Sequence, residues 1–185
     1  MPLRTETIEF AEEIQRLEDE REELAEQLAD LDDDNPVVPE LAQRGHEIDT
    51  HLKGLRWARD EAHTDTVISN WTTPAEHVTL AGLTGGEFGA VEDTLVSEAA
   101  ARGQSSPGDG ATRVHLVAKG TVDAPYLPDE DDEKKTVAAV AQLPIPFLKW
   151  AEARVDELTS VGEEEGNSFG RLVAEKRAKK TSTDK

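Results

Sequence analysis

Five histidines, His46, His51, His63, His77 and His115, are the residues of this chain best suited to metal ligation or to proton transfer near neutral pH. His46 and His51 stand five apart, so a helix does not bring them to one face as a four-residue step would. No His-Glu-x-x-His, Gly-x-Ser-x-Gly, Gly-x-Gly-x-x-Gly or Walker sequence occurs. Asp30, Asp32 and Asp34 imitate the opening of a calcium loop, but Asn35 stands where the turn glycine belongs and Leu41 where the bidentate glutamate belongs. They read as a solvated acidic helix end. Gly85 and Gly86 invite comparison with an anion cradle, yet no Lys-Ser/Thr follows them. Thr84 and Glu87 instead have the Thr-x-x-Glu spacing of a capping box, which supplies a negative group to that helix end. Asn70-Trp71-Thr72 matches a glycosylation acceptor, read as coincidence because no secretory signal is recognised at the N-terminus. Cysteine is absent, which removes disulfides, thiolate ligands and thiol nucleophiles. Carboxylates are too plentiful for any pair to stand out as acid and base. The sequence assigns no catalytic, cofactor-binding or metal-binding residue, and the expectation is a protein that is not an enzyme.

Composition narrows the class further. The 185 residues hold 40 acidic and 20 basic side chains, a formal net charge of −20. Such a field repels phosphate backbones and anionic lipid heads, so neither nucleic acid nor membrane is an expected partner. No apolar run approaches the length of a membrane span. High charge with 36% hydrophobic residues would suit a disordered chain, but apolar periodicity persists between the charges and lysine is scarce. The pattern fits a folded protein of a salt-rich cytoplasm, where ionic strength screens self-repulsion.

The elements follow from that periodicity. Phe10, Ile14, Leu17, Arg21, Leu24, Leu28 and Leu31 step by four and three, the spacing of a heptad seam. The helix should stop near Pro36, with Pro39 extending the break. A second seam follows through Leu41, Gly45, Ile48, Leu52, Leu55, Arg59 and Ala62. Closing the chain about the short turn gives an antiparallel, coiled-coil-like hairpin over residues 5–66, with Leu24 near Ile48 and Leu17 near Leu55. Gly45 would face Leu28 and permit close approach. A helix pair buries one stripe per helix, so the hairpin reads as an interaction surface formed by Phe10, Ile14, Leu17, Leu24, Leu28, Leu31, Leu41, Ile48, Leu52, Leu55 and Trp57. Packing of the hairpin on its own C-terminal domain is the alternative.

Residues 67–176 read as a small, mostly helical domain with at most one or two short strands. Val78 to Leu83 alternates like a strand. Phe88, Val91, Leu95 and Ala99 form one helix face before Gly103. Residues 113–118 suit strand or helix equally. Val137 and Val140 mark a short helix ending at Pro144, and Pro146 opens another carrying Phe147, Leu148, Ala151, Val155 and Leu158, with Trp150 on its shoulder and a stop at Gly162. Ser168 opens a last short helix. The basic residues from Arg171 onward read as a frayed tail, residues 177–185 being its flexible end, with a patch that holds an acidic partner surface as the alternative.

The stretches Val78-Thr79-Leu80-Ala81-Gly82-Leu83-Thr84-Gly85-Gly86-Glu87-Phe88, residues 114–125, and Leu143-Pro144-Ile145-Pro146-Phe147-Leu148 running into Val155-Asp156-Glu157-Leu158 carry a resemblance. In their order this chain resembles the tail assembly chaperones of tailed viruses, of the haloarchaeal type, over about half its length. The resemblance implies a non-catalytic virus protein that binds tape-measure and tail-tube proteins during assembly, or associates with itself, in the cytoplasm of a high-salt host cell. A structural virion component of neck, tail or capsid is the alternative expectation.

Overall fold

The computed structural model of the protein describes residues 4–32, 34–64, 71, 75–129 and 132–160. The chain is mainly helical. Its elements run β1 (Thr5–Glu9), α1 (Phe10–Ala29), α2 (Val38–Asp60), β2 (His77–Ala81), α3 (Gly85–Ala101), α4 (Asp109–Gly120), β3 (Thr121–Asp123), α5 (Glu133–Val140) and α6 (Ile145–Thr159).

α1 and α2 form the antiparallel hairpin that the two seams predict. Cross-helix ion pairs mark its register: Glu18 meets Arg56 at 2.5 Å and Asp49 meets Arg21 at 3.2 Å. The turn between them is held by Asn35, whose Oδ1 accepts the Val37 N–H at 3.0 Å. Pro39 lies in the first turn of α2, where its missing N–H costs nothing, rather than prolonging the break.

Among the described residues three short strands form: β2 and β3 in the second segment, within the expected number, and β1 outside it. The extra one is β1, within residues assigned to the helical hairpin. A single apolar side chain, Ile8, gives it too little pattern to be read alone. It exists through pairing with β2: Ile8 sits opposite Val78, both buried, and the Thr7 and Thr79 hydroxyls bond at 2.9 Å. The sheet is antiparallel in the order β1-β2-β3, with a register irregularity between Thr79 and Leu80.

α3 starts on the predicted box: the Thr84 hydroxyl accepts the Glu87 N–H, and the Glu87 carboxylate accepts the Thr84 N–H at 2.8 Å. Gly103 follows with φ +71, the left-handed turn that a glycine takes without strain. Val91, Leu95 and Ala99 are buried, but Phe88, expected on the same face, is 37% exposed. Residues 113–118 are helical, part of α4. That helix buries Leu116, Val117 and Ala118, and its Arg113 pairs with Glu152 of α6 at 2.5 Å. α5 is capped by Asp132, which accepts the Lys134 N–H at 2.9 Å.

α6 is the element on which the others converge. Trp150, placed on its shoulder by sequence, is 1% exposed. Gly54 of α2 and Gly82 after β2 both face its backbone: a Cβ on Gly54 would lie 2.6 Å from the Phe147 Cα, and one on Gly82 2.7 Å from the Thr159 nitrogen. Gly120 meets the Val155 side chain in the same way. Gly45, expected at the close approach of α1 and α2, is not such a site, since a Cβ there meets nothing within 4 Å. The close contact belongs to a second face of α2 that the heptad seam does not describe.

The core continues across residue 66. Phe10, Leu52 and Leu55 of the hairpin share it with Phe147, Trp150 and Val155. Six of the chain's eight aromatic residues meet there: Phe10, Trp57, Trp71, Tyr126, Phe147 and Trp150. The stop at Gly162, the helix expected from Ser168 and the basic tail lie outside the described residues, as do Asn70 and Thr72.

Candidate functional site

The hairpin has two halves with different surroundings. In its lower half Phe10, Ile14, Leu17, Ile48, Leu52 and Leu55 are buried. They were expected on a partner-facing surface, and the structure places them instead in the core beneath α6. One stripe per helix does not cover a pair, and here the chain's own C-terminal helix covers what is left. Trp57, off the seam, is half-buried and packs edge-on against Trp71 at 5.4 Å and Phe147 at 6.1 Å.

In the upper half none of the described residues is buried. No residue of α1 beyond Leu17 and none of α2 before Ile48 falls in the core. Leu24, Leu28, Leu31 and Leu41 of the predicted set are half-buried, with Leu24 touching the core's edge. Val37 at the turn is 45% exposed. From Leu17 to Ala29 the helix rises about 18 Å, so the pair extends as an arm from the body. These four leucines are the part of the predicted surface that the core does not bury.

The arm's charge is extreme. Residues 18–47 hold twelve carboxylates and two arginines, a net −10 and half of the chain's total. Both arginines are engaged: Arg21 with Asp49, and Arg44 with Glu20 at 2.7 Å. Glu22, Glu23, Glu26, Asp30, Asp32, Asp34 and Glu40 make no ion pair among the described residues. Asp30 lies at the end of α1 and Asp32 in the turn, both exposed.

At the arm's base a buried carboxylate ties α1 to α6. Glu13 is 5% exposed. It accepts two bonds from the Arg16 guanidinium, at 2.8 and 2.9 Å, and one from the Trp150 indole N–H at 3.1 Å. Burial opposes its ionisation, but these donors and the Arg154 charge outweigh that cost and hold its carboxyl below the ordinary value of 4.5. Periodicity missed this residue because Glu13 looks like any other acid of an acidic helix. Its position one residue before Ile14, on the side of α1 that α6 covers, is a tertiary property.

A depressed carboxyl pKa stabilises the fold fully above the unfolded value and ceases to as pH falls through the folded one. Replacing Glu13 by glutamine should therefore cost about 2 kcal/mol at neutral pH, where a charged acceptor is lost from Arg16 while Trp150 keeps a partner. The penalty should shrink below pH about 4.5, as the wild-type carboxyl protonates. Thermal unfolding of both proteins across that range measures it, and a penalty independent of pH would show that the charge of Glu13 contributes nothing.

The histidines do not assemble. His46 and His77 are exposed, His51 and His63 half-buried, and His115 is buried 3.6 Å from the Glu98 carboxylate. Burial, then the Arg44 charge, holds His51 below its ordinary value of 6.5. No group of three or more metal-ligating side chains occurs among the described residues. A cleft of about 590 Å³ beside β3 is lined by Glu87, His115, Lys119 and Glu133, but no nucleophile-and-base pair is formed in it. No helix among the described residues is long and apolar enough to cross a membrane. No protein-family model, curated protein or solved structure matches the chain.

Proposed function

We propose that this chain is a non-enzymatic binding protein whose projecting hairpin arm engages a helical partner. The observation that carries the reading is the division of the hairpin. Its lower seam is consumed by the core, whereas Leu24, Leu28, Leu31 and Leu41 keep an incompletely covered apolar stripe on the arm. Two helices leave a groove that a third fills in ordinary bundles, so a partner helix completes the arm. The resemblance to tail assembly chaperones names the partner class: tape-measure and tail-tube proteins of a haloarchaeal tailed virus, held transiently while the anionic exterior keeps the complex dissolved at high salt. The body formed by the sheet and α2 to α6 then serves as the arm's anchor.

Photo-crosslinking from position 28, in cells producing virus particles, tests this. The expected product joins the chain to a tape-measure or tail-tube protein. Leu28→Asp with Leu41→Asp should abolish recovery of that partner while the body stays folded, because neither side chain belongs to the core. Crosslinks that form only from the body, or partner recovery unchanged by the double variant, would refute the arm's role. Presence of the chain in purified particles at fixed copy number would favour the structural virion component over the chaperone.

A further inference from the structure

Ser160, the last described residue, stands at the foot of the arm. It lines a cleft of about 530 Å³ together with Arg16 and Leu17 of α1 and Arg44 of α2, at the level where the hairpin leaves the core. The side of α1 that meets α6 through Glu13 continues up the arm as Glu20, Leu24, Gln27 and Leu31. Leu17, at the base of that side, is buried, whereas Leu24 and Leu31 above it are half-buried. The cover that α6 gives the hairpin therefore runs out where the next part of the chain begins.

The sequence of that next part suits the vacated side. Phe169, Leu172 and Val173 have the spacing of one helix face after Ser168. Residues 168–180 hold five basic side chains, Arg171, Lys176, Arg177, Lys179 and Lys180, against one acidic, Glu175. A helix of about thirteen residues is marginal in water by itself and gains most from a surface that covers its apolar face. Charge does not specify the site. It removes an obstacle, since the basic patch of the chain meets no like-charge repulsion from an arm of net −10. Reach is sufficient: residues 161–167 span about 23 Å when extended, and the rise from Leu17 to Leu31 is about 21 Å.

We infer that residues 168–180 fold back as a helix on the arm of their own chain, with Phe169, Leu172 and Val173 lying on Leu24, Leu28, Leu31 and Leu41. Tethering makes a weak contact sufficient. A linker of this length gives an effective concentration in the millimolar range, so an affinity on the order of 0.1 mM for the free segment keeps most arms covered. On the reading of the arm as a binding surface, the contact is autoinhibitory: a partner helix enters only by displacing the segment, and its apparent affinity falls by the fraction of arms left open.

The chain contains no cysteine, so Arg171→Cys provides a single attachment point for a nitroxide. The full chain carries isotope-labelled leucine methyls and is observed by NMR at about 1 M KCl, where the Debye length is about 3 Å. The nitroxide should weaken the signals of Leu24, Leu28, Leu31 and Leu41 at least about twofold and spare Leu95 of α3 and Leu116 of α4, because most arms are covered. Adding Phe169→Asp with Leu172→Asp to the nitroxide-bearing chain should restore the arm signals.

Undiminished arm signals would overturn the inference, and so would equal weakening of Leu95 and Leu116. Weakening that survives the two aspartates would reduce the effect to undirected charge attraction and overturn it as well. A mixture of nitroxide-bearing chains without isotope and isotope-labelled chains without nitroxide should show no effect. Weakening there would make a second copy's segment the occupant and reject the intramolecular contact. None of these outcomes depends on a partner, so a failed crosslink from position 28 and a failed fold-back are told apart.

Discussion

Replacing Phe147 by alanine should lower the unfolding free energy by about 4 kcal/mol, the cost of emptying a phenyl-sized site in a packed interior. The side chain is fully buried at the start of α6. Its ring touches five others: Phe10 of α1 at 6.2 Å, Trp57 of α2 at 6.1 Å, Trp71 at 5.9 Å, Tyr126 at 6.2 Å and Trp150 at 5.3 Å. With aromatics forming only 4% of the chain, no second cluster of this size is available to hold the hairpin on the body. Domains of ordinary stability have about 5–15 kcal/mol in total, so the variant should show a large fall in urea midpoint or fail to fold outside concentrated salt. Phe88→Ala is the matched control: that side chain is 37% exposed and lies outside the core cluster, and its loss should cost about 1 kcal/mol. Equal losses for the two variants would show that the aromatic node does not organise the core.

The second large effect comes from one substitution made twice in one helix. Gly45→Ala and Gly54→Ala lie nine residues apart in α2, and helix propensity favours both by about 1 kcal/mol. Gly45 should realise that gain, because its new methyl meets open space. Gly54 should reverse it. Its methyl would be driven into the backbone of Pro146 and Phe147, which cannot yield as a side-chain tip can, so α6 must lift from α2. A net destabilisation of about 3 kcal/mol is expected, placing the variants about 4 kcal/mol apart by chemical denaturation. Gly82→Ala should resemble Gly54→Ala, since it meets the Leu158 carbonyl and has no helix propensity to gain. If Gly45→Ala and Gly54→Ala stabilise alike, the packing of α6 described above is wrong.

These experiments bear on function through the anchoring of the arm. For the arm to act as proposed it must be fixed at its base, and three features do this together: the aromatic node, the glycine contact at α6, and Glu13 between Arg16 and Trp150. Loss of any of them should impair partner recovery only as far as it unfolds the body. Substitutions at Leu28 and Leu41 should impair recovery with the body intact. That contrast separates residues that position the surface from residues that form it.

Several features were determined by sequence alone, and all of them are local. The four-three stepping of apolar residues marks α1 and α2 because a helix repeats every 3.6 residues. Pro36 and the acidic run end α1. Thr84 and Glu87 cap α3 through bonds that close within four residues. The predominance of helix and the antiparallel hairpin follow from these facts.

What tertiary structure decided is which face meets which partner. Ile8 supports a strand only because Val78 lies opposite it, and residues 113–118 are helical where α6 offers Val155 and Glu152 to pack on. Glu13 among many surface acids, Trp150 inside rather than on a shoulder, and Gly54 rather than Gly45 at the close approach all depend on where α6 comes to rest. Periodicity records that a face is apolar, but the element covering it can lie a hundred residues away in the chain, and no local pattern encodes that meeting. For the same reason the eleven seam and flanking residues looked equivalent in sequence, while folding buried six of them and left Trp57 and the four leucines of the arm half-covered.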